Sequence, residues 1–251
     1  MFDLNRTFPT LRNAPITEAV IDIRAELPPS VYLEHLLDFG AGISDRFTET
    51  QQRESVQARI EWQKGAPPRV VAPPPTPDGY LFQSPEERLI VQARLDGFTL
   101  SRLRPYHDGD TFLAQARELW RRYVEIARPT KVTRLAIRNV NRIEMERSAD
   151  LQRYVLTAPE IARGLPQEML HFFMRVILAD SSGALAIVTE TVAEPAASAS
   201  TIPLIFDIDA FREIEFQADD PEIWSALGVL RQVKNRIFFR SLTPEALEAF
   251  R

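Results

Sequence analysis

Residues 13–27, NAPITEAVIDIRAEL, alternate in character: Ala19, Ile21, Ile23 and Ala25 fall on one side of an extended chain, and Glu18, Val20, Asp22 and Arg24 on the other. A period of two predicts a half-buried strand. The period changes in PPSVYLEHLLDFGAGISDRF (28–47), where Leu33, Leu36 and Leu37 stand at the i, i+3, i+4 spacing of one helix face behind a Pro-Pro-Ser start. Alternation returns in SVQARIEWQ (55–63), with Val56, Ala58, Ile60 and Trp62 as the expected buried side. The run KGAPPRVVAPPPTPDGY (64–80) suits neither a helix interior nor a central strand and is expected as an exposed loop. From 79 to 106, Ser84-Pro85 and Asp96-Gly97 cut the chain into three short strands, the Asp-Gly pair signalling a hairpin. Asp110 is the expected N-cap of a helix that Pro129 ends, with Phe112, Ala116, Leu119, Trp120 and Tyr123 as its apolar stripe.

A long strand is expected over 131–145, and its core RLAIRNVNRIEM (134–145) has two unlike faces. Arg134, Ala136, Arg138, Val140, Arg142 and Glu144 share one; Leu135, Ile137, Asn139, Asn141, Ile143 and Met145 share the other. Three more strands are expected at 168–180, 183–193 and 201–211. A long helix then starts at Asp220-Pro221 and a short one at Thr243-Pro244. Three strands followed by a long helix thus occur twice, ending near 128 and 240. Strands clustered in hairpins with helices between the clusters predict an α+β fold: antiparallel sheets with helices packed on one face, in two loosely similar βββα halves. The halves are expected at 1–146 and 147–251, packed as one globular unit.

Composition narrows the function. With 45% hydrophobic and 26% charged residues in 251, the chain is of ordinary globular character, long enough for a sizeable core. No apolar run approaches the roughly 18 residues of a membrane span, and the N-terminus lacks the layout of a secretory signal. There is no cysteine, hence no disulfide, thiol nucleophile or thiolate metal site, and a cytoplasmic location with no membrane partner is expected. A net charge of −5 argues against bulk electrostatic binding of nucleic acid. All but three of the 30 basic residues (Lys64, Lys131, Lys234) are arginine, so an arginine cluster has a high background to exceed.

Four stretches carry a resemblance: NAPITEAVIDIR, VQARLDGFTLSRLRPY, RLAIRNVNRIE and LRQVKNRIFFRSLT. In this order they resemble a sporadically distributed bacterial family of uncharacterised proteins with NAPI-x-EAV, GF-x-x-SRL-x-PY, RN-x-NRIE and KN-x-IF motifs. The resemblance spans nearly the whole chain and implies no activity, cofactor or catalytic residue. Patchy distribution is a common companion of mobile or defence genes, which by association alone suggests a toxin–antitoxin or phage-defence setting.

The chain has no G-x-S-x-G elbow, Walker A loop, G-x-G-x-x-G turn or H-E-x-x-H pair, and only nine glycines. His35, His107 and His171 lie far apart, each with a bland role available. Asp207 and Asp209, at i and i+2 on one strand face with Asp22 and Glu190 as candidate neighbours, form the one acid pair that could hold a divalent cation. A solvated strand end explains them as well, since residues 205–222 carry seven acids and one arginine. In KNRIFF (234–239), Lys234 and Arg236 complement the helix dipole, and Ile237, Phe238 and Phe239 are expected core anchors. Arg134, Arg138 and Arg142, with Gln92, Arg94 and Arg59, are expected on a polar sheet face beside Glu18, Asp22 and Arg24. Cross-strand ion pairing suits that face; phosphate recognition is the sharper alternative. Asn139 and Asn141, amides on an apolar face, need partners or a cavity edge, because each costs about 1–3 kcal/mol if unpaired.

No cofactor is expected. The leading expectation is a non-enzymatic protein-interaction module whose partner is another protein, a neighbouring gene product or a second copy. The alternative is nucleic-acid or nucleotide binding or processing through the arginine-lined face.

Overall fold

The alternating segments pair into one antiparallel sheet. The computed structural model describes residues 8–56, 59–61, 69–71, 73–106, 108–146, 150–167, 169–194 and 200–251. Its elements run β1 (Ile16–Glu26), a 3-10 turn (Leu33–Leu36), α1 (Leu37–Ala41), β2 (Glu49–Ser55), β3 (Arg59–Glu61), β4 (Arg69–Val71), β5 (Thr76–Ser84), β6 (Leu89–Arg94), β7 (Gly97–Leu103) and α2 (Gly109–Ala127). There follow β8 (Lys131–Glu146), a second 3-10 turn (Leu151–Arg153), β9 (Phe173–Ala179), β10 (Leu185–Val192), β11 (Thr201–Phe216), α3 (Glu222–Ser241) and α4 (Pro244–Glu248). Nine strands form the main sheet in the order β2-β5-β6-β7-β1-β8-β11-β10-β9, and β3 pairs with β4 apart from it. The meander β5-β6-β7 returns to β1 and leads into α2; the meander β9-β10-β11 returns to β8 and leads into α3. One sheet therefore runs through both stretches of sequence, joined where β1 pairs with β8. The fold is α+β and antiparallel.

The period-two pattern decides which face is covered. Ala19, Ile21, Ile23, Leu135 and Ile137 lie in one buried cluster with Phe39 of α1, the α2 stripe (Phe112, Ala116, Leu119, Trp120, Tyr123) and Ile223, Leu227 and Leu230 of α3. A smaller second cluster holds Ile143, Met145, Val188, Leu204, Phe206 and Ile208 beneath Phe238 of α3 and Ala246 of α4. The helices thus cover one face. Trp120 Nε1 donates to the Ala218 carbonyl (2.9 Å) and the Tyr123 hydroxyl to the Arg94 carbonyl (2.7 Å), so both large aromatics of α2 bring their polar atoms inside with a partner.

Several expectations need correction. The helix expected over 28–47 shrinks to a 3-10 turn and five α-helical residues, with Leu37 exposed and Phe39, Ile43 and Phe47 buried instead. Glycine at position 40 is required for contact, since a Cβ there would stand 2.1 Å from the Phe82 ring. The N-cap of α2 is Asp108, which accepts from the Thr111 amide (2.7 Å), and not Asp110. In 55–63 Ser55 ends β2 and Arg59–Glu61 form β3, Val56 is exposed, and Ala58 and Trp62 lie outside the described residues, as do residues 64–68 and 72 of the proline-rich run and His107. The rest of that run is not all loop, since Arg69–Val71 form β4 and β5 starts at Thr76. Strand β2 was not expected, and β11 extends five residues past Phe211.

Candidate functional site

The sheet face opposite the helices carries the arginine row. Cross-strand register places Arg134, Arg138, Asp22 and Asp209 on this face with Thr99 and Gln92. Asp22 is its hub: its carboxylate accepts from Arg94 Nη2 (2.7 Å), Thr99 Oγ1 (2.8 Å), Arg24 Nε (3.1 Å) and Arg134 Nη1 (3.3 Å). Burial alone would raise the Asp22 carboxyl, but Arg94 and Arg24, with the bonds from Thr99 and Arg94, hold it below the ordinary carboxylate range. Arg134 bridges onward to Asp209 (3.2 Å) and lies over the Phe211 ring (4.4 Å). Arg138 grips Asp207 with two bonds (2.8 and 2.6 Å), and Arg142 pairs with Glu144 (2.7 Å). All three arginines of the row are thus matched by carboxylates within the sheet. Asp207 and Asp209 are the acceptors of that matching. Glu190 lies on the opposite, covered face, because it pairs with Phe206 one register position away. Among the described residues no group of three His, Cys, Asp or Glu side chains could hold a metal ion. The side chain of Arg59 is outside the description.

Asn139 and Asn141 point the other way, beneath α3. Asn141 is 1% exposed; its Nδ2 donates to the Phe206 carbonyl (2.9 Å), while its Oδ1 has no partner among the described residues. In the amide orientation that satisfies both neighbours, Asn139 Nδ2 donates to the Arg138 carbonyl and its Oδ1 accepts from Lys234 Nζ, each at 2.9 Å. Lys234, 7% exposed, therefore faces the sheet and is not spent on the helix dipole. Desolvation, with Arg231 adding to it, lowers its ammonium to about 7. These three residues line a cavity of about 190 Å³ between the starts of β1 and α2 and the second half of α3. Ala14, Pro15, Ile16, Tyr106, Asn235 and Phe238 also line it, so each of the four stretches quoted above contributes to one cavity. The sequence signal for this is spacing: Leu227, Leu230, Lys234 and Phe238 recur at three and four residues, which sets Lys234 inside an apolar stripe.

The sheet has two edges of opposite character. Every residue of β2 (ETQQRES) is polar, and five of seven are exposed. β9 (FMRVILA) has one charge, Arg175, among aliphatic and aromatic side chains. On its open face Phe173 is 67% and Ile177 61% exposed, with Leu185 of β10 beside them; Leu170, just before the strand, is 82% exposed. His171 falls in the segment preceding β9, and His35 accepts from the Tyr32 amide (2.9 Å) in the first 3-10 turn.

No helix among the described residues is long and apolar enough to cross a membrane. Compared with protein-family models, curated proteins and solved structures, the chain matches none.

Proposed function

We propose that this protein is a non-enzymatic interaction module of the bacterial cytoplasm, and that β9 takes up an extended strand of a different protein. The observation that carries the reading is the exposed apolar edge: Phe173 and Ile177 on a strand with no outer neighbour among the described residues. An edge strand offers unpaired backbone donors and acceptors, and folded proteins protect such edges with charge, proline or bulges unless they are used. Exposed apolar patches have the same meaning. The absence of cysteine and of the common catalytic signatures fits the same reading.

Charge favours a partner over a second copy. In an antiparallel self-pairing centred on Val176, Arg175 stands opposite Ile177 of the other strand, and the two arginines become diagonal neighbours about 7–8 Å apart. Moving the centre to residue 175 sets them face to face. A partner strand of alternating apolar residues with an acid opposite Arg175 meets neither penalty. The arginine row supports no second reading, because a guanidinium already held by carboxylates has little charge left to release counterions from a phosphate backbone.

The test is a paired capture from the native host, using the wild-type chain, Ile177→Asp in β9 and Gln52→Asp in β2. A stoichiometric partner retained by Gln52→Asp and lost by Ile177→Asp supports the reading. A partner held equally by all three, or a stable dimer of the purified chain in sedimentation, overturns it.

A further inference from the structure

The cavity around Lys234 plays no part in strand uptake at β9, yet it leaves two buried polar groups incomplete. An ammonium has three donors and no acceptor. Lys234 Nζ uses one on Asn139 Oδ1, and no carboxylate pairs with it among the described residues. Among the described residues the Asn141 Oδ1 lacks a donor. Isolated buried charge and unmet amide oxygen are both costly. A guest that cancels both must bring a negative oxygen for Lys234 and, close to it, a hydrogen-bond donor for Asn141.

The remaining walls restrict that guest further. Ile16, Leu11, Ile208, Phe238 and Phe239 are apolar. Among the described residues, the titratable and charged groups facing the cavity besides Lys234 are Tyr106, Asp108, Asp110 and Arg231. Tyr106, pushed up to about 12 by burial, remains a neutral phenol. Asp108 is committed to capping α2, and Arg231 is paired with Asp110. Glycine at 109 lets that pair form across the helix start, since a Cβ there would come within 2.7 Å of the Arg231 guanidinium. Two acids at the mouth disfavour a phosphate or any polyanion, while one buried cation suits a monoanion. The size is also limiting: an engineered cavity of about 150 Å³ admits one benzene.

We propose that this cavity is a binding site for a small organic monocarboxylate with a hydroxyl beside the carboxylate and an apolar body, a 2-hydroxy acid. The carboxylate meets Lys234, the hydroxyl donates to Asn141 Oδ1, and the alkyl part lies against Ile208 and Phe238. An amino group in place of the hydroxyl would set a second cation beside Lys234. Because the anion favours the ammonium, binding takes up a proton wherever free Lys234 is neutral.

The test is isothermal titration of the full chain with 2-hydroxyisocaproate, isocaproate and inorganic phosphate at about pH 6.5 and about pH 8.5. The expected result is binding of the hydroxy acid at least about tenfold tighter than isocaproate. Its affinity should fall by up to about tenfold per pH unit above neutrality, with heats that depend on the buffer's ionisation. Lys234→Met should abolish binding, and Asn141→Ala should remove the preference between the two acids. No heat from the hydroxy acid at millimolar concentration, equal binding of phosphate, or unaltered binding by Lys234→Met overturns the proposal. Should Lys234→Met fail to fold, the wild-type profile decides: an affinity equal at the two pH values overturns it.

Discussion

The two sides of the sheet are built on different rules. Toward β2, the outer strand is polar throughout, and the charges of the sheet are matched: Arg53 with Asp78, Arg94 and Arg24 with Asp22. Toward β9, the outer strand is apolar and exposed, and Glu190 of β10, a buried carboxyl, has no ion-pair partner among the described residues; Lys234, beneath the middle of the sheet, has none there either. A polar edge resists pairing with other chains; an apolar one invites it. A matched buried charge holds structure, whereas an unmatched one is a cost retained for something else. On the proposed reading, the β2 side is finished in isolation and the β9 side is completed by a partner.

The largest effect expected from breaking this contrast is at its matched end. Asp22→Ala leaves Arg94 buried without its main acceptor, and loss of about 3–5 kcal/mol in urea unfolding is expected. At the unmatched end, Phe173→Asp or Ile177→Asp should weaken partner binding by about 2 kcal/mol or more, over tenfold, while shifting stability by no more than about 0.5 kcal/mol.

The pH dependence of stability sharpens the contrast further. Burial raises the Glu190 carboxyl from 4.5 to about 7, so the folded chain keeps a proton that the unfolded chain has released, and stability falls as pH rises through that window. Lys234 is lowered from 10.5 to about 7, so the unfolded chain holds the extra proton, and stability rises again from about 7 to 10.5. Asp22, held below its ordinary 3.8, adds a loss only at more acid pH. A minimum near neutrality is therefore expected in the urea midpoint, with limbs on the order of 1–3 kcal/mol. Glu190→Gln should flatten the acid limb and Lys234→Met the alkaline one. The smallest effect concerns β2: Thr50→Val with Gln52→Ile should change stability by under about 0.5 kcal/mol yet produce concentration-dependent association in sedimentation.

How much of this was legible in the sequence varied with what each segment faces. β1 and β8 were readable because one side of each is covered and the other is polar, so burial writes a period of two into the residues. β2 was invisible because an edge strand with both sides in water has no such pattern. The helix over 28–47 was overestimated because the leucine spacing carries no record of Phe82, whose ring needs the space left by Gly40. The polar face around Arg134 and Arg138 was anticipated, but its partners were not. Asp209 and Asp207 stand roughly 70 residues away, and only the β8–β11 register puts them opposite. The β10–β11 register sends Glu190 to the other face. Lys234 resembles a helix-end charge in the sequence, yet it occupies an apolar stripe position and the helix runs seven residues further to Ser241.

The most direct measurement of the central claim is amide hydrogen exchange of the chain alone and with its captured partner. In the free protein, outward-facing amides of β9 and of β2 should both exchange fast, since neither edge has an outer neighbour among the described residues. With the partner bound, slowing confined to β9 and its flank, with β2 unchanged, is the predicted result. Protection that appears at β2 or across the helix layer, with β9 still exchanging freely, would contradict it.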